Sequence, residues 1–277
     1  MNIDNLHVVW FSATATTKQI TGLIAEQFTA QSVTKHDITK NTPENNIQIG
    51  PSDLLVVGIP VYAGRIPAVA IDALNRFKGD KTAAVIACVY GNRDYDDALI
   101  ELKNILQTNA FIVISAGTFI AQHSIFPAVG ASRPDEKDKG IIVDFAQKSA
   151  ELLAALENTN NLSDINVKGN HPYVKPFKVP LSPKTDKKCN KCGVCVKLCP
   201  TNAIPAFNPR ITFGSKCIAC ARCISFCPQQ ARHFGGILYR IVGKKFVKTY
   251  SVRKEPEVTY IKPVDATYTE PVSESGK

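Results

Sequence analysis

Eight of the nine cysteines fall in two strings of one pattern. The first string places Cys189, Cys192, Cys195 and Cys199 ahead of Pro200, and the second places Cys217, Cys220, Cys223 and Cys227 ahead of Pro228. Every cysteine of the first recurs 28 residues later, so one unit is repeated. Three thiolates two residues apart on a tight loop can converge on three corners of one iron–sulfur cubane. A fourth, three residues further on, cannot fold back to the same body and must serve a neighbour. A disulfide scaffold suits a short secreted chain, whereas nothing like a signal peptide precedes Asn2 and the remainder reads as a large α/β domain. Paired zinc sites use CxxC pairs parted by a longer loop rather than a run of three followed by C-P.

The spacing C-x2-C-x2-C-x3-C-P resembles that of bacterial ferredoxins with two [4Fe–4S] clusters, in which the fourth cysteine of a string ligates the other cluster. The resemblance implies Cys189, Cys192, Cys195 and Cys227 around one cluster. It implies Cys217, Cys220, Cys223 and Cys199 around the other.

These strings need a scaffold, and 277 residues are enough for two domains. No run approaches the ~18 apolar residues of a membrane span, and thiolate-held clusters point to a reducing, cytoplasmic setting. Cys88, inside AAVIACVY, reads as a small core residue. Net charge is +9, but residues 1–165 carry 13 Lys/Arg against 18 Asp/Glu and residues 166–277 carry 20 against 6. A basic half raises nucleic acid as a partner, yet no recognition motif accompanies it. Compensation of cluster charge and docking to acidic protein surfaces account for it better.

Residues 1–160 alternate apolar runs with amphipathic stretches, the pattern of a parallel α/β sheet. Strands are predicted at 6–11, 33–38, 53–60, 82–90 and 111–120, and helices at about 16–31, 67–78, 94–108 and 134–157. This suits a doubly wound parallel sheet of order 2-1-3-4-5, which binds ligands at the carboxyl ends of its strands. Ser12, Thr14, Thr16 and Thr17 crowd the loop after the first strand, where hydroxyls and helix-start amides could cradle a phosphate. Ordinary N-capping explains one hydroxyl, not four. No GxxxxGK[ST] or GxGxxG is present, so neither a nucleotide P-loop nor a dinucleotide fold is indicated. After the third strand, Pro60 and Pro67 bracket a loop with Tyr62 and a permissive Gly64, suited to backbone lying against a flat ring. After the fourth come Tyr90, Gly91, Asn92 and Tyr95. Each segment alone could be a plain turn; their coincidence at adjacent strand ends is the signal.

Together the segments resemble the phosphate and flavin loops of flavodoxins, and the chain resembles fused flavodoxin–ferredoxin (electroflavoredoxin-like) proteins over about residues 5–236. PVYAGRIP, YGNRDYDDAL, AQHS (Ala121–Ser124) and SRPDEKD (Ser132–Asp138) also match. The family's phosphate loop reads roughly S-P-T-G-T-T-K; here Ala15 stands at its glycine, between Thr14 and Thr16. The resemblance implies an α/β flavodoxin-like domain at 1–160, a linker at 161–184, a small α+β dicluster ferredoxin domain at 185–236 and a basic extension at 237–277. It implies FMN on Ser12, Thr14, Ala15, Thr16, Thr17, Pro60, Val61, Tyr62, Ala63, Gly64, Tyr90, Gly91, Asn92 and Tyr95. The expected function is electron transfer between FMN and the clusters, with redox-protein donor and acceptor, no nucleic acid and no membrane span; a homodimer is left open. The alternative is an FMN-dependent oxidoreductase acting on a small molecule, with Tyr95, Tyr90 or His123 as proton donor. Arg65 and Arg93 could contact phosphate or reduced flavin, or pair with Asp94, Asp96 or Asp97. The linker reads as extended. The basic, aromatic extension reads as a strand with a solvated face, with a hairpin, a wrap around the flavin domain or ordering only on a partner as the other readings.

Overall fold

The computed structural model describes residues 2–156, 159, 162 and 164–262. Five parallel strands form its centre: β1 (Ile3–Trp10), β2 (Ala30–Asp37), β3 (Leu54–Pro60), β4 (Thr82–Tyr90) and β5 (Phe111–Ile120). A sixth, β6 (Glu257–Tyr260), pairs antiparallel with β5, so the order is β6-β5-β4-β3-β1-β2. β3 and β4 are buried at every position because both their faces lie under helices. β2 closes the opposite edge and is mostly exposed. Helices α1 (Thr16–Ala25) and α4 (Glu136–Ala155) pack against each other on one face; α2 (Ala68–Leu74) and α3 (Ala98–Thr108) pair on the other. The flavodoxin-like sheet is therefore the expected one.

Boundaries shift in places. The first helix stops at Ala25 rather than near 31, because β2 already begins at Ala30. The second spans Ala68–Leu74 instead of 67–78, Phe77–Lys78 being drawn into a small parallel pair with Ile47–Gln48. Cys88 is fully buried within β4, and burial pushes its thiol far above the ordinary range. Residues 164–183 run without helix or strand, as an extended linker should. The C-terminal extension wraps the α/β domain and includes a half-exposed strand, as two of its readings had it, but it also holds a helix that none of them contained. Its described part contains a helix, α5 (Ile237–Tyr250), before β6, and no hairpin of its own. Tyr239, Phe246 and Tyr250 recur at helical spacing and bury one face against Phe126 and His123. Basic residues on the outer face obscured that 3.6-residue period.

Candidate functional site

The carboxyl ends of β1, β3, β4 and β5 surround an open cleft. Ala13, Thr14, Thr16, Thr17, Pro60, Val61, Tyr62, Tyr90, Gly91, Gln122 and His123 line it, which joins all three predicted loops to the one after β5. A roomier hollow at the amino ends, between Ile3, Phe28 and Leu153, has no charged lining and lies at the wrong end of a doubly wound sheet.

The loop after β1 is built as an anion cradle. Ser12 accepts the Lys18 amide at 3.1 Å and its own amide donates to Thr39 Oγ1 at 2.8 Å, so that hydroxyl is spent on shaping the turn. The amides of residues 14–17 and the hydroxyls of Thr14 and Thr16 have no hydrogen-bond partner among the described residues. Ala15 adopts φ 72°, the left-handed conformation for which the family uses glycine, at a cost of about 1–2 kcal/mol. Thr17 is buried beneath the loop, and its carbonyl accepts the Thr21 hydroxyl. These free donors fit a phosphate.

The other two loops depart in part from expectation. Ala63 (φ 53°) and Gly64 (φ 82°) form a left-handed turn closed by the paired Tyr62 and Arg65 backbones. A Cβ on Gly64 would meet Asp96 at 2.4 Å, so this glycine makes room for the next loop rather than for a ring. Asn92 is buried; its amide donates to the carbonyls of Tyr250 and Val252, and its oxygen accepts the Lys254 amide. Its side chain thus ties down the chain after α5. The Tyr95 hydroxyl donates to Glu257 at 2.6 Å, and burial with that bond pushes the phenol far up. Tyr90 is likewise buried and shifted upward. His123 Nδ1 accepts the amides of Ile125 and Phe126, and burial lowers its pKa to about 4. Arg93 pairs with Asp96. Arg65 pairs with Glu101 at 2.5 Å instead of with any of the three aspartates, since Glu101, in the first turn of α3, takes both its Nε and Nη2 together with the Ile66 amide.

The cysteines converge as two interleaved sets. Cys189, Cys192, Cys195 and Cys227 line one hollow, and Cys199, Cys217, Cys220 and Cys223 line another. Among the described residues no three His, Cys, Asp or Glu side chains are grouped to hold a single metal ion. Hollows walled by four thiols suit a larger, multi-iron body. The repeat extends to the backbone. Lys191 and Ala219, Gly193 and Ala221, and Asn202 and Gln230 all take positive φ at the 28-residue offset. The short helices Val194–Leu198 and Arg222–Ser225 start at the same offset. Amides of Ala203 and Ala231 donate equivalently to Cys199 and Cys227 sulfurs at 3.2 and 3.3 Å.

Two arginines lay outside the sequence reading. Arg232, 3% exposed, donates to Pro209 O at 2.7 Å, stands 3.9 Å from Cys195 Sγ and lies within electrostatic reach of Cys217 and Cys223, so one buried cation serves both sets. Arg222 Nη1 donates to Ser12 O at 2.7 Å and Ala13 O at 3.4 Å, clamping the second string to the phosphate loop. Beside it Cys220 packs into the core of the α/β domain, and the Cys220 thiol lies within electrostatic reach of Tyr62. Ala219 packs with Ile125, Phe126 and Val129. Only adjacency in space marks these arginines; their sequence neighbourhoods carry no such signal.

Residues 12–125 match the family model described as NADPH-dependent FMN reductase, and residues 184–204 and 214–235 each match a 4Fe-4S binding domain. No curated protein matches the chain. Among solved structures, a short-chain flavodoxin associated with a non-canonical PDU bacterial microcompartment is 15% identical, covering 55% of this chain and 100% of its own (TM-score 0.41). A flavodoxin from the domain Archaea is 12% identical, covering 54% and 99% (TM-score 0.36). An NADH:FMN oxidoreductase is 14% identical, covering 56% and 92% (TM-score 0.41). A flavodoxin-like domain is thus fused to a ferredoxin segment with two 4Fe-4S motifs.

Proposed function

We propose that the chain is an electron-transfer protein, in which FMN lies in the cleft and two [4Fe–4S] clusters occupy the two cysteine sets. The observation that carries this reading is the packing of Cys220 and Ile218 into the flavodoxin-like core beside Tyr62, on the rim of the flavin cleft. FMN exchanges one or two electrons and each cluster one, so their union couples two-electron to one-electron carriers. Thr14, Thr16 and the free amides would bind the phosphate, and the backbone of the Tyr62–Gly64 loop would meet the ring edge. Cys189, Cys192, Cys195 and Cys227 would hold one cluster and Cys217, Cys220, Cys223 and Cys199 the other. Amide-to-sulfur bonds and the buried Arg232 favour added negative charge.

The substrate-converting alternative is less well supported. Tyr95 is committed to Glu257, and with Nδ1 accepting two amides His123 is neutral, so the donors left at the cleft, His123 Nε2–H and the Tyr90 hydroxyl that burial shifts upward, are weak acids. Anaerobic redox titration of reconstituted protein tests the proposal. It should show eight irons and one flavin per chain, with flavin reduction coupled to the clusters. Zinc in place of iron, or no flavin retained, refutes it.

A further inference from the structure

The two cysteine strings are alike in sequence and opposite in setting. Cys220 is 9% exposed within the α/β core, whereas its counterpart Cys192 is exposed. Arg222 anchors the second string to the loop after β1, and Ala219 is wedged among Ile125, Phe126 and Val129. The first string meets the α/β domain more lightly, through the Lys40 ammonium donating to Lys197 O, and Lys187, Lys188, Asn190 and Lys191, in and beside it, are all exposed. No acidic residue occurs in the sequence between Asp186 and Glu255. Lys187, Lys188 and Lys191 form no ion pair among the described residues. Arg210, also exposed, donates to Cys189 O at 2.8 Å and extends the basic face over the same hollow. Its loop carries Phe207, 81% exposed.

We infer that the second-string set is the inner relay to the flavin cleft and that the first-string set is the outer terminal. An acidic one-electron iron–sulfur protein docks there on Lys187, Lys188, Lys191 and Arg210. This rests on the electron-transfer reading above. One electron passes between the outer cluster and the partner's iron–sulfur centre, one being oxidised as the other is reduced, with no proton moved. Charge complementarity selects the partner: a face with four exposed cations against the single half-buried Asp186, whose carboxylate is held by the Lys188 amide, repels basic carriers and steers acidic ones. Exposure of Cys192 brings the redox group close to the contact, while Cys220 is walled in. Helix α5 offers a second basic surface through Lys244, Lys245 and Lys248, but it packs over Phe126 and lies on neither cysteine hollow.

The test is binding of a small acidic [2Fe–2S] ferredoxin to the loaded full-length protein, measured by calorimetry at low and high salt. Three proteins are compared: the natural chain, the triple variant K187E/K188E/K191E and the triple variant K244E/K245E/K248E. The natural chain should bind with an affinity that falls as salt rises. The first triple should weaken binding at least ~10-fold, and the second should leave it within about twofold. Unchanged binding in the first triple, loss in the second, or no binding by the natural chain overturns the inference. Iron and flavin analysis of all three proteins reports separately on the electron-transfer reading.

Discussion

Replacing Arg232 by Met should lower the potentials of both clusters. Reduction adds an electron to a body that already carries several thiolates, and a fixed cation nearby stabilises the reduced form. The guanidinium is 3% exposed and lies 3.9 Å from Cys195 Sγ. Taken at the 3.9 Å separation from Cys195 Sγ with an effective dielectric near 20, the interaction with one added charge is ~4 kcal/mol, an upper bound because that charge would spread over the cluster. At 59 mV per tenfold for a one-electron couple, that bound corresponds to roughly 180 mV. Cys217 and Cys223 lie within electrostatic reach of Arg232, so the second set should shift in the same direction. Methionine keeps the buried volume but leaves Pro209 O and the hydroxyls of Thr185 and Thr212 without their donor. Arg232→Lys therefore serves as the companion: it restores charge without the fork and should recover most of the potential while stability stays reduced. The assay is anaerobic titration followed by electron paramagnetic resonance, with iron content verified. Potentials of Arg232→Met within about 20 mV of the natural protein, at full iron, would refute the electrostatic argument.

Cys199→Ser should deplete the set of Cys217, Cys220 and Cys223 while sparing the one to which Cys189, Cys192 and Cys195 belong, as read from iron content and cluster spectra; the opposite selectivity would disprove the interleaving. Arg222→Ala removes a charged bond to Ser12 O and a contact with Phe226, 5.2 Å away, costing about 2 kcal/mol after allowance for its partial exposure. Amide hydrogen exchange across residues 12–18 and 217–226 should quicken ~30-fold, and identical exchange would count against the clamp. Acid should weaken the fold before its carboxylates titrate. Burial lowers His36 and His123 to about 4, so as pH falls below about 6.5 the unfolded chain takes up protons first. Stability present above pH 6.5 is lost down to about pH 4, by roughly 3 kcal/mol in all once exposure is discounted. Urea unfolding between these limits measures it, and a flat profile would contradict the burial of both rings.

Much of the fold was legible because a parallel sheet buried on both faces writes itself as apolar runs. β3 and β4 appear in the chain nearly residue for residue. Loop residues were legible as a set and not in their roles. Asn92 and Tyr95 sit where expected, yet their side chains grip Tyr250, Val252 and Glu257, far along the chain. The buried Arg133–Asp138 pair belongs to the same arrangement, with Arg133 donating to Lys254 O and Arg253 reaching Asp138. Such contacts join segments more than a hundred residues apart, and no local pattern encodes them. Helix α5 was missed for a different reason: its apolar face seals a small aromatic cluster, while lysines and exposed aliphatics blur the periodicity.

The sequence by itself determined the chemistry available: eight thiols at ferredoxin spacing, hydroxyls at a helix start and a doubly wound sheet to present them. Spacing suffices there because cluster loops are local objects, closed by a few residues in left-handed conformations. Which string faces the flavin cleft was decided only in three dimensions. The strings are interchangeable in one dimension, and packing against Tyr62, Phe126 and the Ser12 loop makes one the inner and the other the outer.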